Sequence, residues 1–229
     1  MALYVLSDLH LSFGVPKPMD VFGGRWEGYQ KKLESSLQIL KAEDTIVLPG
    51  DFCWALDLEQ AKADFAFLHR FPGRKLLVKG NHDYWWSTAS KFYSFCEENG
   101  FSDCCLLHNT CFFYDDLALC GTRGWFFEEE QGGTHDEKIF RRELIRLETS
   151  LQAAGDREKL CFLHYPPRYK GYTCPEILEL LHRYGVSRCY YGHLHADSHK
   201  LAMEGLLDGI EYRLVAADYV NFEPVCIKK

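Results

Sequence analysis

The sequence predicts an α/β fold, and three observations carry that reading. Five short apolar runs end at groups able to bind metal. Residues 3–6 run into Asp8 and His10, residues 45–48 into Gly50-Asp51, and residues 75–79 into Gly80-Asn81-His82-Asp83. Residues 160–163 end at His164, and residues 188–191 run into Gly192-His193-Leu194-His195. Runs of this length, rich in Leu, Val, Ile and aromatics and bounded by glycine, read as buried strands. Between them lie stretches with apolar residues at helical spacing. Open α/β sheets place their ligands at the carboxyl ends of strands, where all five polar groups fall.

In chain order, residues 2–6 form the first expected strand. Residues 11–25, with two prolines and three glycines, form an irregular loop. Trp26, Tyr29, Leu33, Leu37 and Leu40 recur at helical spacing and predict a helix over 26–41. The strand at 45–48 follows. Ala61, Phe65, Leu68 and Phe71 mark a second helix that stops before Pro72-Gly73. After the strand at 75–79, a helix near 87–99 ends at Gly100. Residues 111–120 read as a hairpin turning at Asp115-Asp116. The acidic segment 126–134 is an expected loop, and Ile139, Leu144, Leu147 and Leu151 mark a long helix to about Ala154. A helix at 175–184 precedes the strand at 188–191, and two antiparallel strands, 210–215 and 222–227, close the chain.

The 229 residues hold no linker, repeat or low-complexity tract, and the polar groups span most of the length, so one domain over 1–229 is expected. The formal net charge is −7 without a basic cluster, which argues against stable nucleic-acid binding. It leaves a small phosphorylated substrate open, because bound cations would dominate the local field. No apolar stretch reaches the ~20 residues that span a bilayer. None of the ten cysteines forms a Cys-x-x-Cys pair, and with no signal peptide visible they read as reduced, mostly buried thiols of a cytoplasmic protein.

The strand ends together supply Asp8, His10, Asp51, Asn81, His164, His193 and His195: two carboxylates, an amide oxygen and four imidazoles. Read alone, Asp8-x-His10 is a turn aspartate and a surface histidine, and His164 a satisfied core histidine. Seven such groups at five strand ends are a different matter. A mixed oxygen and nitrogen set suits manganese, iron, cobalt or zinc, and the absence of thiolates excludes a structural zinc module. Seven ligands exceed one tetrahedral ion. They fit two ions sharing a carboxylate, a clamp suited to in-line displacement at phosphorus.

The ordered set Asp8-x-His10, Gly50-Asp51, Gly80-Asn81-His82-Asp83, His164 and Gly192-His193-x-His195 resembles the calcineurin-like metallophosphoesterases. The resemblance implies a four-layer αββα sandwich with two mixed sheets. It implies that Asp8, His10 and His195 hold one metal and Asn81, His164 and His193 the other, with Asp51 bridging them. By the same resemblance His82 is a non-ligand histidine that protonates the leaving group or stabilises its charge, and Asp83 orients it. The implied activity is two-metal hydrolysis of a phosphate mono- or diester by direct attack of water, and the small size without a large inserted cap favours a small substrate of nucleotide, cyclic-nucleotide or sugar-nucleotide type. The sequence departs from the protein Ser/Thr phosphatase branch: Phe52-Cys53-Trp54 follows Asp51 where that branch has a second aspartate and then Arg-Gly. Phosphoprotein hydrolysis and a non-catalytic scaffold are therefore the alternatives, not the main reading. Arg123, in Gly121-Thr-Arg-Gly-Trp125, is the candidate phosphate clamp, and Trp85, Trp86, Trp125 and Tyr165 are candidate pocket walls.

Overall fold

A computed structural model describes residues 1–125 and 134–229. The expected acidic loop at 126–134 falls, but for its last residue, outside the described residues. In chain order the described strands are β1 (Leu3–Val5), β2 (Thr45–Pro49), β3 (Arg74–Val78), β4 (Cys104–Leu106), β5 (Cys111–Tyr114), β6 (Leu117–Thr122) and β7 (Glu158–Leu163). They continue with β8 (Arg168–Tyr169), β9 (Tyr172–Thr173), β10 (Val186–Tyr191), β11 (Gly205–Leu207), β12 (Ile210–Leu214) and β13 (Val225–Lys228). The α-helices are α1 (Tyr29–Ser36), α2 (Leu58–His69), α3 (Ala89–Asn99), α4 (Thr134–Gln152) and α5 (Pro175–Arg183).

Two mixed sheets pack face to face. One has the order β13-β1-β2-β3-β4 and the other β11-β12-β10-β7-β6-β5; β8 and β9 pair separately. β13, β11 and β5 are the antiparallel edge strands, and the interior pairings are parallel. The layer between the sheets is apolar: Leu3, Val5, Val47, Leu76 and Val78 meet Leu119, Leu160, Phe162 and Val215. Taking each such side chain out of water contributes roughly 1.5–3 kcal/mol. A second core joins the outer face of the first sheet to α1, α2 and α3 through Tyr29, Leu33, Phe65, Leu68 and Phe92. A third joins the second sheet to α4 and α5 through Leu147, Leu151, Ile177 and Leu181. These three cores separate four layers in the order αββα.

The helix ends follow local chemistry. Asp57 caps α2 by accepting from the Gln60 amide at 2.9 Å, Thr88 caps α3, and Pro175 opens α5. The helix expected over 26–41 is shorter. Gly28 sits in the left-handed region at φ 63° and starts α1, and the flanks at Gly24–Trp26 and Leu37–Ile39 are 3₁₀ turns. The apolar spacing still holds, since Trp26, Tyr29, Leu33, Leu37 and Leu40 are all buried. The closing strands need a correction too. β13 pairs antiparallel with β1 as expected, but β12 runs parallel to β10 and antiparallel only to β11.

The carboxyl ends of the two sheets are stitched together. The Ser7 amide donates to Val215 O at 2.9 Å, and Ala217 N returns the bond to Ser7 O at 2.9 Å. Within the second sheet, Gly192 N donates to His164 O at 3.1 Å, and across the sheets His164 Nδ1 faces Pro49 O at 3.1 Å. This seam brings the loops after β1, β2, β3, β7, β10 and β12 to one place.

Candidate metal centre

All seven expected ligands converge at that seam. Asp8, His10, Asp51 and His164 are buried to within 2 % of full burial, which no isolated surface turn would show. Four of the loop residues, Asp8, His10, Asp51 and His193, hold φ between 45° and 71°, a left-handed conformation that costs a non-glycine residue energy. The motif glycines allow close approach: a Cβ on Gly80 would stand 2.1 Å from Asp51 Oδ1, and one on Gly192 would stand 2.2 Å from Asp8 Oδ2.

The donor atoms fall into two groups sharing Asp51. On one side His10 Nε2 lies 3.3 Å from His195 Nε2, and His195 Nε2 lies 3.3 Å from Asp8 Oδ1. On the other, Asn81 Oδ1 lies 2.6 Å from His164 Nε2 and 3.1 Å from His193 Nδ1. Asp51 Oδ2 stands between them, 3.7 Å from His10 Nε2 and 3.6 Å from His164 Nε2.

Hydrogen bonding shows what these atoms lack. His164 Nδ1 faces the Pro49 carbonyl at 3.1 Å, and a carbonyl only accepts, so the ring proton is on Nδ1. His164 Nε2 then presents a bare lone pair to another acceptor, Asn81 Oδ1, at 2.6 Å. Two acceptors that face each other suit a shared cation. On the other side, His195 Nδ1 faces Asp218 Oδ1 at 2.8 Å, which leaves Nε2 to take a cation beside Asp8.

The electrostatics agree. Burial, and then Asp8 beside it, push the Asp51 carboxyl well above the ordinary range. Burial also opposes a charge on His195, yet Asp8 and Asp218 outweigh it and hold the imidazole up at about 10. A proton is thus drawn to the place where a metal ion would satisfy the same carboxylates. Burial keeps His10 and His164 low, and it brings His193 down to about 3, so these rings are neutral, the form that ligates metal. The residues present therefore fit divalent or transition-metal ions.

The sequence matches the calcineurin-like phosphoesterase family over residues 1–197. The chain belongs to that family. Solved structures share the fold. A phosphopantetheinyl hydrolase (PptH) from Mycobacterium tuberculosis superposes with TM-score 0.60 at 14% identity, covering 98% of this chain and 95% of that one. A protein titled as of unknown function, AQ665 from Aquifex aeolicus, gives 0.56 at 17% identity, with 98% and 95% covered. TT1561 of Thermus thermophilus gives 0.57 at 14% identity, with 99% and 97% covered. Among curated proteins, no sequence matches it.

Around the centre of this phosphoesterase, the other expected site residues take distinct places. The His82 ring stands 4.4 Å from the Trp54 ring and 5.8 Å from the His10 ring, and its Nδ1 has no hydrogen-bond partner among the described residues. Burial, helped by His164 and Lys17, holds it down to about 4. Asp83 requires a correction. It does not orient the His82 ring: its oxygens accept from the amides of Asp51 and Phe52 at 2.9 Å, Gly80 at 2.7 Å, and the Trp85 indole at 2.9 Å. A side chain adjacent in sequence is turned inward here, and its work is to tie the loop after β2 to the loop after β3. Trp85 belongs to the core with Phe65 and Phe92. Arg123 lies beside His164, whose amide donates to Arg123 O at 3.1 Å. Its guanidinium stacks 4.8 Å from Trp125 and stands 3.6 Å from Glu143.

Sequence reasoning missed Asp218, His199, Trp54 and Trp26. Asp218 was within reach of the same grammar, because the apolar run 214–217 ends on it. It accepts from His195 Nδ1 and, at 3.2 Å, from the Ala196 amide. A carboxylate that fixes a ligating imidazole tunes metal affinity, typically 10–100-fold. Asp218→Ala should therefore weaken metal binding by about that factor, read by calorimetric titration of metal-free protein; unchanged affinity would remove Asp218 from the centre.

Proposed function

We propose that this phosphoesterase hydrolyses a small phosphate monoester or diester, of nucleotide, cyclic-nucleotide or sugar-nucleotide type, at a centre of two metal ions. The observation that carries the proposal is the facing pair of acceptors, Asn81 Oδ1 and His164 Nε2, joined through Asp51 to the Asp8, His10 and His195 group. Asp8, His10 and His195 would hold one ion and Asn81, His164 and His193 the other, with Asp51 between them. Manganese, iron or zinc suits this donor set. Such ions supply charge to the phosphoryl oxygens and an acidified water for direct attack at phosphorus.

The chain's own groups do the rest. Asp51 Oδ1 accepts from the His82 amide at 2.8 Å, so the same carboxylate that serves the ions also sets the backbone of His82. The His82 ring offers a nitrogen to the departing oxygen. Asp83 keeps the two loops in register, and Arg123 is proposed to hold a phosphoryl oxygen. A single domain over 1–229 is part of the proposal, supported by a site that draws residues 8 to 218 from both sheets. A cytoplasmic location is part of it too, supported by ten cysteines that are all free thiols. No described helix is long and apolar enough to cross a membrane.

The test is a screen of manganese-loaded protein against para-nitrophenyl phosphate and its bis-ester, then nucleotides, cyclic nucleotides and sugar nucleotides. One structural neighbour is titled a phosphopantetheinyl hydrolase, so phosphopantetheine esters belong in the same screen. Metal-dependent release of product from at least one class is expected. Failure on all of them with metal shown to be bound would contradict the proposal.

A further inference from the structure

A cavity of about 570 Å³ opens beside the metal centre, and His10, His82 and His195 form the wall it shares with that centre. On the reading above, the leaving group departs next to His82, so it lies in this cavity; the inference that follows rests on that reading. The remaining wall is mostly carbon. Met19, Phe22, Trp26 and Trp54 line it, and Phe22 is 69% exposed with no core to pack against. Trp54 stacks on His10 at 4.9 Å and lies 4.4 Å from His82, which puts an indole at the threshold between metal ligands and cavity.

Charge of both signs lines the wall: Asp197 and Asp218 are there, Arg25 is fastened by a 3.0 Å bond from Nη1 to Asp218 O, and His195 is bonded to Asp218 at 2.8 Å. A flat group would meet the rings of Trp26, Trp54 and Phe22.

We propose that the Trp54–Trp26–Phe22 cavity receives the leaving group, and that this group is a ring-bearing alcohol such as a nucleoside or an arylmethanol. The step balances simply: the oxygen of water bonds to phosphorus, the P–O bond to the alcohol breaks, one proton of that water ends on the alcohol oxygen, and the phosphate product carries the rest. Within the substrate classes above, this favours nucleotides, whose leaving group carries a base.

The experiment compares 2-naphthylmethyl phosphate with methyl phosphate. Both release an alkoxide of similar basicity, so the ring and not the leaving-group acidity is varied. Manganese-loaded protein should show kcat/KM at least about tenfold higher for the naphthylmethyl ester, the size expected when part of such a ring leaves water. Calorimetry with the two uncleavable phosphonates gives a readout independent of turnover: the naphthylmethyl compound should bind at least about tenfold tighter, and Phe22→Ala should erase most of that difference. Equal binding of the two phosphonates overturns the proposal while leaving the phosphoesterase reading intact. Ring-selective binding with phosphate released from no ester overturns the phosphoesterase reading and, with it, the assignment of the cavity to a leaving group.

Discussion

Asp51→Asn should lower turnover at least ~10³-fold, a loss of roughly 4 kcal/mol in transition-state stabilisation. Asp51 Oδ2 faces the ligating-side nitrogens of both donor groups, at 3.7 Å from His10 Nε2 and 3.6 Å from His164 Nε2. Asparagine keeps the shape, and its amide oxygen can still accept from the His82 amide. What disappears is the negative charge that would offset repulsion between two cations held close together. Turnover should therefore collapse while the fold survives, and metal titration of the variant should show one of the two affinities reduced. Loss of a terminal ligand, as in His10→Ala, should cost less, because the opposite group keeps its ion. Steady-state kinetics at saturating manganese decide the matter: a variant within tenfold of the wild type would refute Asp51 as the bridge.

His82→Asn should reduce turnover by ~10²–10⁴-fold, the range typical of a lost proton donor, with both metals retained. The ring lies outside the ligand groups, its Nδ1 has no partner among the described residues, and it borders the cavity proposed for the leaving group. Burial first, and then the neighbouring His164 and Lys17, hold it neutral at about 4 in the free protein. A bound phosphoester brings anionic charge beside it, which favours the protonated ring. The loss should be larger for an alkyl ester than for a para-nitrophenyl ester, because an alkoxide needs a proton and a nitrophenolate hardly does. Equal losses would assign His82 to charge stabilisation of the phosphoryl group. Loss of metal in the variant would make it a ligand.

The convergence of the seven proposed ligands was legible because each sits close after an apolar run, and strand ends in an α/β fold meet at one edge. What was not legible depends on direction and pairing. The neighbour relation of His82 and Asp83 suggests a hydrogen bond, yet the turn points one side chain to the cavity and the other to the Asp51, Phe52 and Gly80 amides. The 26–41 periodicity correctly marks which residues are buried, but says nothing of Gly28 in the left-handed region, which starts α1 late. β12 alternates buried and exposed residues as an edge strand would, and only tertiary pairing shows it parallel to β10. Asp218 lay in reach of the rule that found the others. Its value to the site comes from the bond to His195, which no spacing encodes.

The central claim is that two ions share Asp51, and counting them is the most direct test. Metal-free protein titrated with manganese should take up two equivalents per chain by calorimetry, and anomalous diffraction from the loaded crystal should show two peaks flanking the Asp51 carboxylate. A single equivalent, or a second peak away from Asn81, His164 and His193, would contradict the account.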